Sequence, residues 1–147
     1  MKAWLQRVRS AYVDIGGERV SEIGPGLMVL LGVAPGDDAA AAGRIAGRIA
    51  ALRIFEDGNG MTNMSVEDVG GSALVVSQFT LYADTSRGRR PGFSGAARPE
   101  IAEPLYRLVV DRLRERLGAD RVRTGRFGAS MQVGLVNDGP FSVEVLA

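Results

Sequence analysis

Ser77-Gln78-Phe79-Thr80 sets two hydroxyls, a carboxamide and an aromatic ring directly behind four apolar residues, Ala73-Leu74-Val75-Val76. Hydroxyls and amides grouped in this way suit acyl transfer, as a nucleophile or as donors to a developing oxyanion. On residue types alone the simpler reading is a strand end whose polar side chains satisfy a turn. The chain has no histidine and no cysteine. That excludes Ser-His-Asp and Cys-His triads, thiolate nucleophiles and disulfides, and it removes the usual zinc ligands. An enzyme built from this chain must take its base from a carboxylate, a hydroxyl, a backbone group or the substrate. Nothing in the sequence calls for a metal or a cofactor.

Asn137-Asp138-Gly139-Pro140 is a second candidate. All four are turn formers, and the ordinary reading is a hairpin turn. Proline just before a strand leaves a cis Gly-Pro bond open, which would aim two successive carbonyls as a trans bond does not. The third candidate is Ser86-Arg87-Gly88-Arg89-Arg90-Pro91-Gly92. It reads equally as a phosphate clamp or as a solvated loop. Arg112, Arg114, Arg116, Arg121, Arg123 and Arg126 would extend a basic face, although Arg112 and Arg116 suit the solvent side of a helix. Lys2 is the sole lysine among 18 basic residues. A GC-rich coding sequence explains that bias, and the planar guanidinium fork suits phosphate in any case. Asp37/Asp38, Glu56/Asp57 and Glu67/Asp68 lie in turns or helix starts and read as capping or solvated. No Gly-Lys-Ser/Thr or dinucleotide loop occurs.

The elements that must position these residues follow from periodicity. Lys2 to Val13 alternates as a strand, with Trp4, Gln6, Val8, Ser10 and Tyr12 on one face. Gly16-Gly17 turns it into a return strand, Arg19 to Ile23. Leu27 to Val33 is continuously apolar, as a strand covered on both faces would be. Asp37 or Asp38 caps a helix reaching about Leu52, with Ile45, Ile49 and Leu52 facing inward. Arg53 to Glu56 is a short strand before the tight turn Asp57-Gly58-Asn59-Gly60. Ser72 to Tyr82 holds a buried strand that runs straight into Ser77–Thr80. Arg87 to Pro99 reads as an exposed loop. A second helix spans Pro99 to Leu117, with Ile101, Leu105, Leu108, Val109 and Leu113 as its stripe and Gly118 as its end. Arg121 to Thr124, Met131 to Val136 and Phe141 to Leu146 are three further strands. The order predicts an α+β fold: a single domain over residues 1–147, mainly antiparallel and barrel-like, with two helices.

At 147 residues, with 46% hydrophobic and 24% charged, the chain suits one domain around one core. No apolar run approaches the ~20 residues of a membrane span. The amino terminus lacks a signal-peptide layout, so the expected location is the cytoplasm. A net charge of +1 says little about partners.

Several motifs then fall in a fixed order. They are Met1-Lys2-Ala3-Trp4-Leu5-Gln6-Arg7-Val8, Asp57-Gly58-Asn59-Gly60-Met61-Thr62-Asn63-Met64-Ser65-Val66, Ser77-Gln78-Phe79-Thr80-Leu81, Gly88-Arg89-Arg90-Pro91, Gly125-Arg126-Phe127-Gly128-Ala129-Ser130-Met131 and Asn137-Asp138-Gly139-Pro140. Each is weak alone. Together, from the first residue to the last, they resemble the D-aminoacyl-tRNA deacylases.

The resemblance implies hydrolysis of the ester between a D-amino acid and tRNA by a homodimer whose active sites lie across the interface. It implies that Ser77, Gln78, Phe79 and Thr80 form the catalytic floor. A cis Gly139-Pro140 would reach in from the other subunit, Arg7 would hold that element, and Met131 would line the pocket. Arg87, Arg89 and Arg90 would contact tRNA. The water would be activated by the terminal ribose 2′-hydroxyl or, less simply, Thr80 would attack as a covalent nucleophile. Rejection of L-aminoacyl-tRNA would follow from lack of room, with the paired carbonyls holding the substrate ammonium, and glycyl-tRNA would pass. Phe141-Ser142 departs from the family, where a small β-branched residue and threonine are expected. The competing reading is a non-catalytic tRNA-binding module.

Overall fold

The computed structural model describes all of residues 1–147. Eight strands and two helices follow in the order β1 (Lys2–Ile15), β2 (Glu18–Ile23), β3 (Gly26–Gly32), α1 (Ala39–Ala51), β4 (Phe55–Glu56), β5 (Thr62–Met64), β6 (Ser72–Ser77), α2 (Pro99–Leu117), β7 (Val122–Thr124) and β8 (Gln132–Leu146). The class is α+β, as the periodicity predicts. The main sheet runs β2-β1-β3-β6-β7, with β8 on the other edge of β1, and β4-β5 form a separate hairpin. β2 curls back toward β6 and β7, so the sheet is barrel-like.

The sheet has two covered faces, and this explains the continuous apolar runs. Alternate residues of a strand point to opposite sides. Leu27, Val29 and Leu31 of β3 and Ala73 and Val75 of β6 join the core under the helices, with Ile45, Ile49, Val109 and Leu113. Their neighbours Met28, Leu74 and Val76 fill the concave side with Val8, Ala11, Val13 and Ile23. β6 has parallel neighbours on both sides, β3 and β7, within a sheet whose other pairings are antiparallel.

β1 changes sides along its length. Ala3 and Leu5 face the helix-side core, whereas Val8, Ala11 and Val13 face the concave side. Val8 and Ala11 are three apart, so the alternation slips by one residue between them. The pairing with β8 is irregular at the same place. The single face expected for Trp4 through Tyr12 is therefore not kept.

Four other expectations need correction. The buried strand read within Ser72 to Tyr82 is β6, but it does not run straight on through Thr80: it ends at Ser77, and Phe79–Tyr82 is a short 3-10 helix. Thr62–Met64 pairs with Phe55–Glu56, a hairpin the sequence reading missed. The α2 stripe is wider than expected: Val109 and Leu113 are buried and Leu105 and Leu108 pack on the core as read, but Ala102, Tyr106, Val110 and Leu117 are buried too, and Ile101 is exposed. Met131–Val136 and Phe141–Leu146 fuse into one strand, so Asn137–Pro140 is no hairpin turn. α1 begins where expected, with the Asp38 carboxylate accepting from Ala41 N at 2.7 Å. No helix is long and apolar enough to cross a membrane.

Candidate active site

At the end of β6 the chain must leave a buried parallel strand. Gln78 N donates to Leu31 O at 2.8 Å, which extends the β3 pairing one residue past Ser77. Gln78 then takes an irregular conformation (φ −142°, ψ 84°) that starts the 3-10 turn. The turn lifts Phe79 to the rim, 54% exposed. Its ring meets Phe93 edge to face at 5.1 Å. Below it the Tyr82 ring packs against Gly32, where an added Cβ would lie 3.1 Å from the ring and 3.2 Å from Gln78 O. Burial, then the charges of Asp37 and Glu144, push the Tyr82 phenol up to about 12, so it stays protonated at neutral pH.

A cavity of about 620 Å³ opens at this strand end. Ser77, Gln78 and Phe79 form one wall, Phe93, Ala96 and Ala97 a second, and Phe127, Met131 and Val133 a third. Arg98 is its one charged lining residue, and no carboxylate lines it. Any hydrolysis here would have to draw on hydrogen-bond donors and on the substrate's own groups, because the walls hold no acid or base. Thr80 is not among the lining residues. It is exposed, and its Oγ1 accepts from Gln78 Nε2 at 2.5 Å.

The sequence reading missed Phe93, Ala96, Ala97, Arg98 and Phe127. The segment read as an exposed loop is exposed throughout except at Ala96 and Ala97. Ala97 N donates to Val33 O at 2.8 Å, which pulls these two residues onto the cavity. The available signal was Phe93, an aromatic ring alone among glycine, proline and arginine.

Gly139, Pro140 and Arg7 form a second group, none of which lines the cavity of the same chain. Between Ser142 and Asn137 the register moves five residues along β8 while β1 advances only from Gln6 to Val8. The surplus chain is expelled as a bulge. Gly139-Pro140, joined by a cis peptide bond, lies at its exposed tip.

Arg7 anchors the bulge from below while only 5% exposed. Nη2 donates to Gly139 O at 2.9 Å, Nε to Asp138 O at 3.1 Å, and Nη1 to Ile54 O at 2.6 Å. Nε also lies 3.1 Å from Asp138 Oδ2, which compensates the buried cation. The guanidinium stacks on Phe141 at 4.6 Å, which gives the departure at that position a structural use. Gly139 O is thus already engaged by a cation. One of its two lone pairs stays open for a second donor.

Arg87, Arg89 and Arg90 form a third group, on an exposed loop. The loop is closed by the reciprocal pair Asp84 N to Gly92 O at 2.8 Å and Gly92 N to Asp84 O at 2.9 Å. Hydrogen bonds from the Ser86 hydroxyl and N–H hold the Asp84 carboxyl below its ordinary range. The other carboxylates do structural work. Asp57 accepts from Asn59 N and Met61 N, Asp68 from Ser65, and Glu67 pairs with Arg116.

A family model described as D-Tyr-tRNA(Tyr) deacylase matches residues 4–145. A protein of Symbiobacterium thermophilum named D-aminoacyl-tRNA deacylase is 57% identical over 143 residues, covering 97% of this chain and 93% of the relative. One of Salmonella newport with the same name is 54% identical over 140 residues, with 95% of each chain covered. Among solved structures, one titled c-Myc DNA Unwinding Element Binding Protein superposes with a TM-score of 0.95 at 40% identity, covering 100% of this chain and 99% of that one. A second, titled as a probable eukaryotic D-amino acid tRNA deacylase, gives 0.85 at 19% identity over 98% and 97% of the two chains and shows the shared fold.

Proposed function

The chain belongs to the D-Tyr-tRNA(Tyr) deacylase family, and from that premise we propose that it hydrolyses the ester of D-aminoacyl-tRNA in a site completed by a second copy of itself. One observation carries this reading: the cavity at Ser77–Phe79 offers donors and apolar walls but no acid or base.

An aminoacyl ester is already activated. It needs a placed water, a home for the oxyanion and exclusion of the wrong substrate. In this reading Ser77, Gln78 and the backbone N–H groups around Phe79 receive the oxyanion, each such donor contributing ~3 kcal/mol. The ribose 2′-hydroxyl of the terminal adenosine activates the water. Thr80 holds the Gln78 carboxamide by the 2.5 Å hydrogen bond and does not attack. Met131 shapes the pocket floor.

The second copy supplies the Gly139-Pro140 tip, held by its own Arg7. Support comes from β8, whose outer edge has no strand partner in the chain. An unpaired edge bearing exposed Val133, Val136 and Leu146 suits association with another copy. Val133 also lines the cavity, so a copy docked along β8 approaches the site. The tip then rejects an L side chain by occupying its space, while glycine, without a side chain, escapes that test. Arg87, Arg89 and Arg90 contact tRNA phosphate, and the cytoplasm is where such a substrate is met.

The purified protein is expected to deacylate D-Tyr-tRNA and spare L-Tyr-tRNA by at least about a hundredfold in kcat/KM. Glycyl-tRNA is expected to be cleaved as well. Equal cleavage of the D and L esters overturns the exclusion argument. Salt-sensitive tRNA binding with no hydrolysis would favour the binding-module reading.

A further inference from the structure

A second cleft, of about 380 Å³, lies against the other side of the Gly125–Met131 segment. Phe127 lines both this cleft and the substrate cavity. Its ring packs 5.9 Å from that of Tyr106. Tyr106 is fixed in turn by donating Oη to Val75 O at 2.9 Å, so the partition between the two spaces is tied to β6. Apart from Val110, the remaining walls are mostly polar: Glu103, Arg107, Asp111 and Arg114 from α2, and Thr124, Gly125 and Arg126 at and just past the end of β7.

Three guanidinium groups therefore face two carboxylates. Both carboxylates are paired within α2, Glu103 with Arg107 at 2.6 Å and Asp111 with Arg114 at 3.4 Å. These pairs are exposed, and such pairs contribute only about 0.3–0.5 kcal/mol, so a phosphate competes with them readily. Arg126 is exposed and has no carboxylate within ion-pair distance. The backbone N–H groups of Arg126 and Phe127 donate to no acceptor in the chain. An unpaired guanidinium and two backbone N–H groups without an acceptor, all on residues lining the cleft, suit a singly charged oxyanion.

We propose that this cleft binds a backbone phosphate of the single-stranded 3′ end of the RNA substrate, in the nucleotides preceding the terminal nucleoside. The proposal rests on the deacylase reading for the identity of its ligand. A strand whose terminal nucleoside sits in the cavity must cross the cavity rim, and Phe127 is a rim shared with the cleft. The cleft is a different surface from the Arg87–Arg90 loop, which is closed by Asp84 and Gly92 on the Phe93 side.

The test compares Arg126→Glu and Arg114→Glu with the unmodified protein on three probes: D-Tyr-tRNA, 2′(3′)-O-D-tyrosyl adenosine, which has no phosphate, and uncharged tRNA for binding alone. Each variant is expected to raise KM for D-Tyr-tRNA about tenfold and to weaken tRNA binding equally. The slope of log affinity on log salt should fall by about one. Cleavage of the adenosine ester should be unchanged. Unaltered tRNA affinity in both variants overturns the proposal, as does an equal loss on both esters, which would mean a structural role. Weakened tRNA binding by a protein that hydrolyses neither ester would sustain the cleft and sink the deacylase reading.

Discussion

Thr80 is the residue whose role is most exposed to experiment. Its hydroxyl lies outside the cavity lining and accepts from Gln78 Nε2 at 2.5 Å. No group around it is placed to take its proton, which a nucleophile would require. Thr80→Ala should therefore cost one hydrogen bond, about 1 kcal/mol, and lower kcat by no more than about tenfold. Single-turnover hydrolysis of D-Tyr-tRNA reads this directly, and a loss of several orders of magnitude with intact binding would restore a covalent mechanism. The motif itself was legible, because Ser77-Gln78-Phe79-Thr80 breaks so abruptly from the apolar run before it. The division of labour within it was not. Which side chain faces the cavity depends on the 3-10 turn at Phe79–Tyr82, and no local residue announces that turn. Arg7 is similar. Its place in an alternating strand predicts no burial, and only the bulge of a strand 131 residues away makes its fork useful.

At the scale of elements, the site depends on β3 and β6 starting in register. Gly26 pairs with Ser72 at the head of the parallel ladder that ends at Ser77. A Cβ on Gly26 would lie 1.9 Å from Ser72 O, a backbone atom that cannot step aside. Gly26→Ala should destabilise the fold by about 3 kcal/mol, measured by urea unfolding. A change below about 0.5 kcal/mol would show that the two strands do not approach so closely. The apolar runs of β3 and β6 revealed strands covered on both faces. The parallel pairing that covers them was not legible, because it joins segments separated by a helix and a hairpin. The fused β8 was hidden for a related reason. Asn137–Pro140 carries the chemistry of a turn, and it forms a bulge only because β1 offers one continuous edge on either side of it. The stripe of α2 was misplaced at Ile101, which is exposed, and omitted the buried Ala102 and Tyr106. A small alanine and a tyrosine with a carbonyl partner satisfy burial as well as larger aliphatic residues do.

At the scale of the molecule, the residues expected in one site fall into two places. Ser77, Gln78, Phe79 and Met131 share the cavity, whereas Gly139 and Pro140 form an exposed tip elsewhere, anchored by the buried Arg7. The two halves are complementary in kind, donors on one side and a projecting, hydrogen-bonded backbone on the other. In the proposed dimer, a two-fold pairing through β8 would unite them twice. Complementation between two damaged copies tests this most directly. One variant carries Phe79→Ala with Gln78→Ala, and the other lacks Gly139 and Pro140; each alone should be inactive on D-Tyr-tRNA. Refolded together in equal amounts, half of the dimers are mixed and each holds one intact site, so the mixture should recover about a quarter of the unmodified rate. A mixture no more active than its two parents would contradict a site shared between copies.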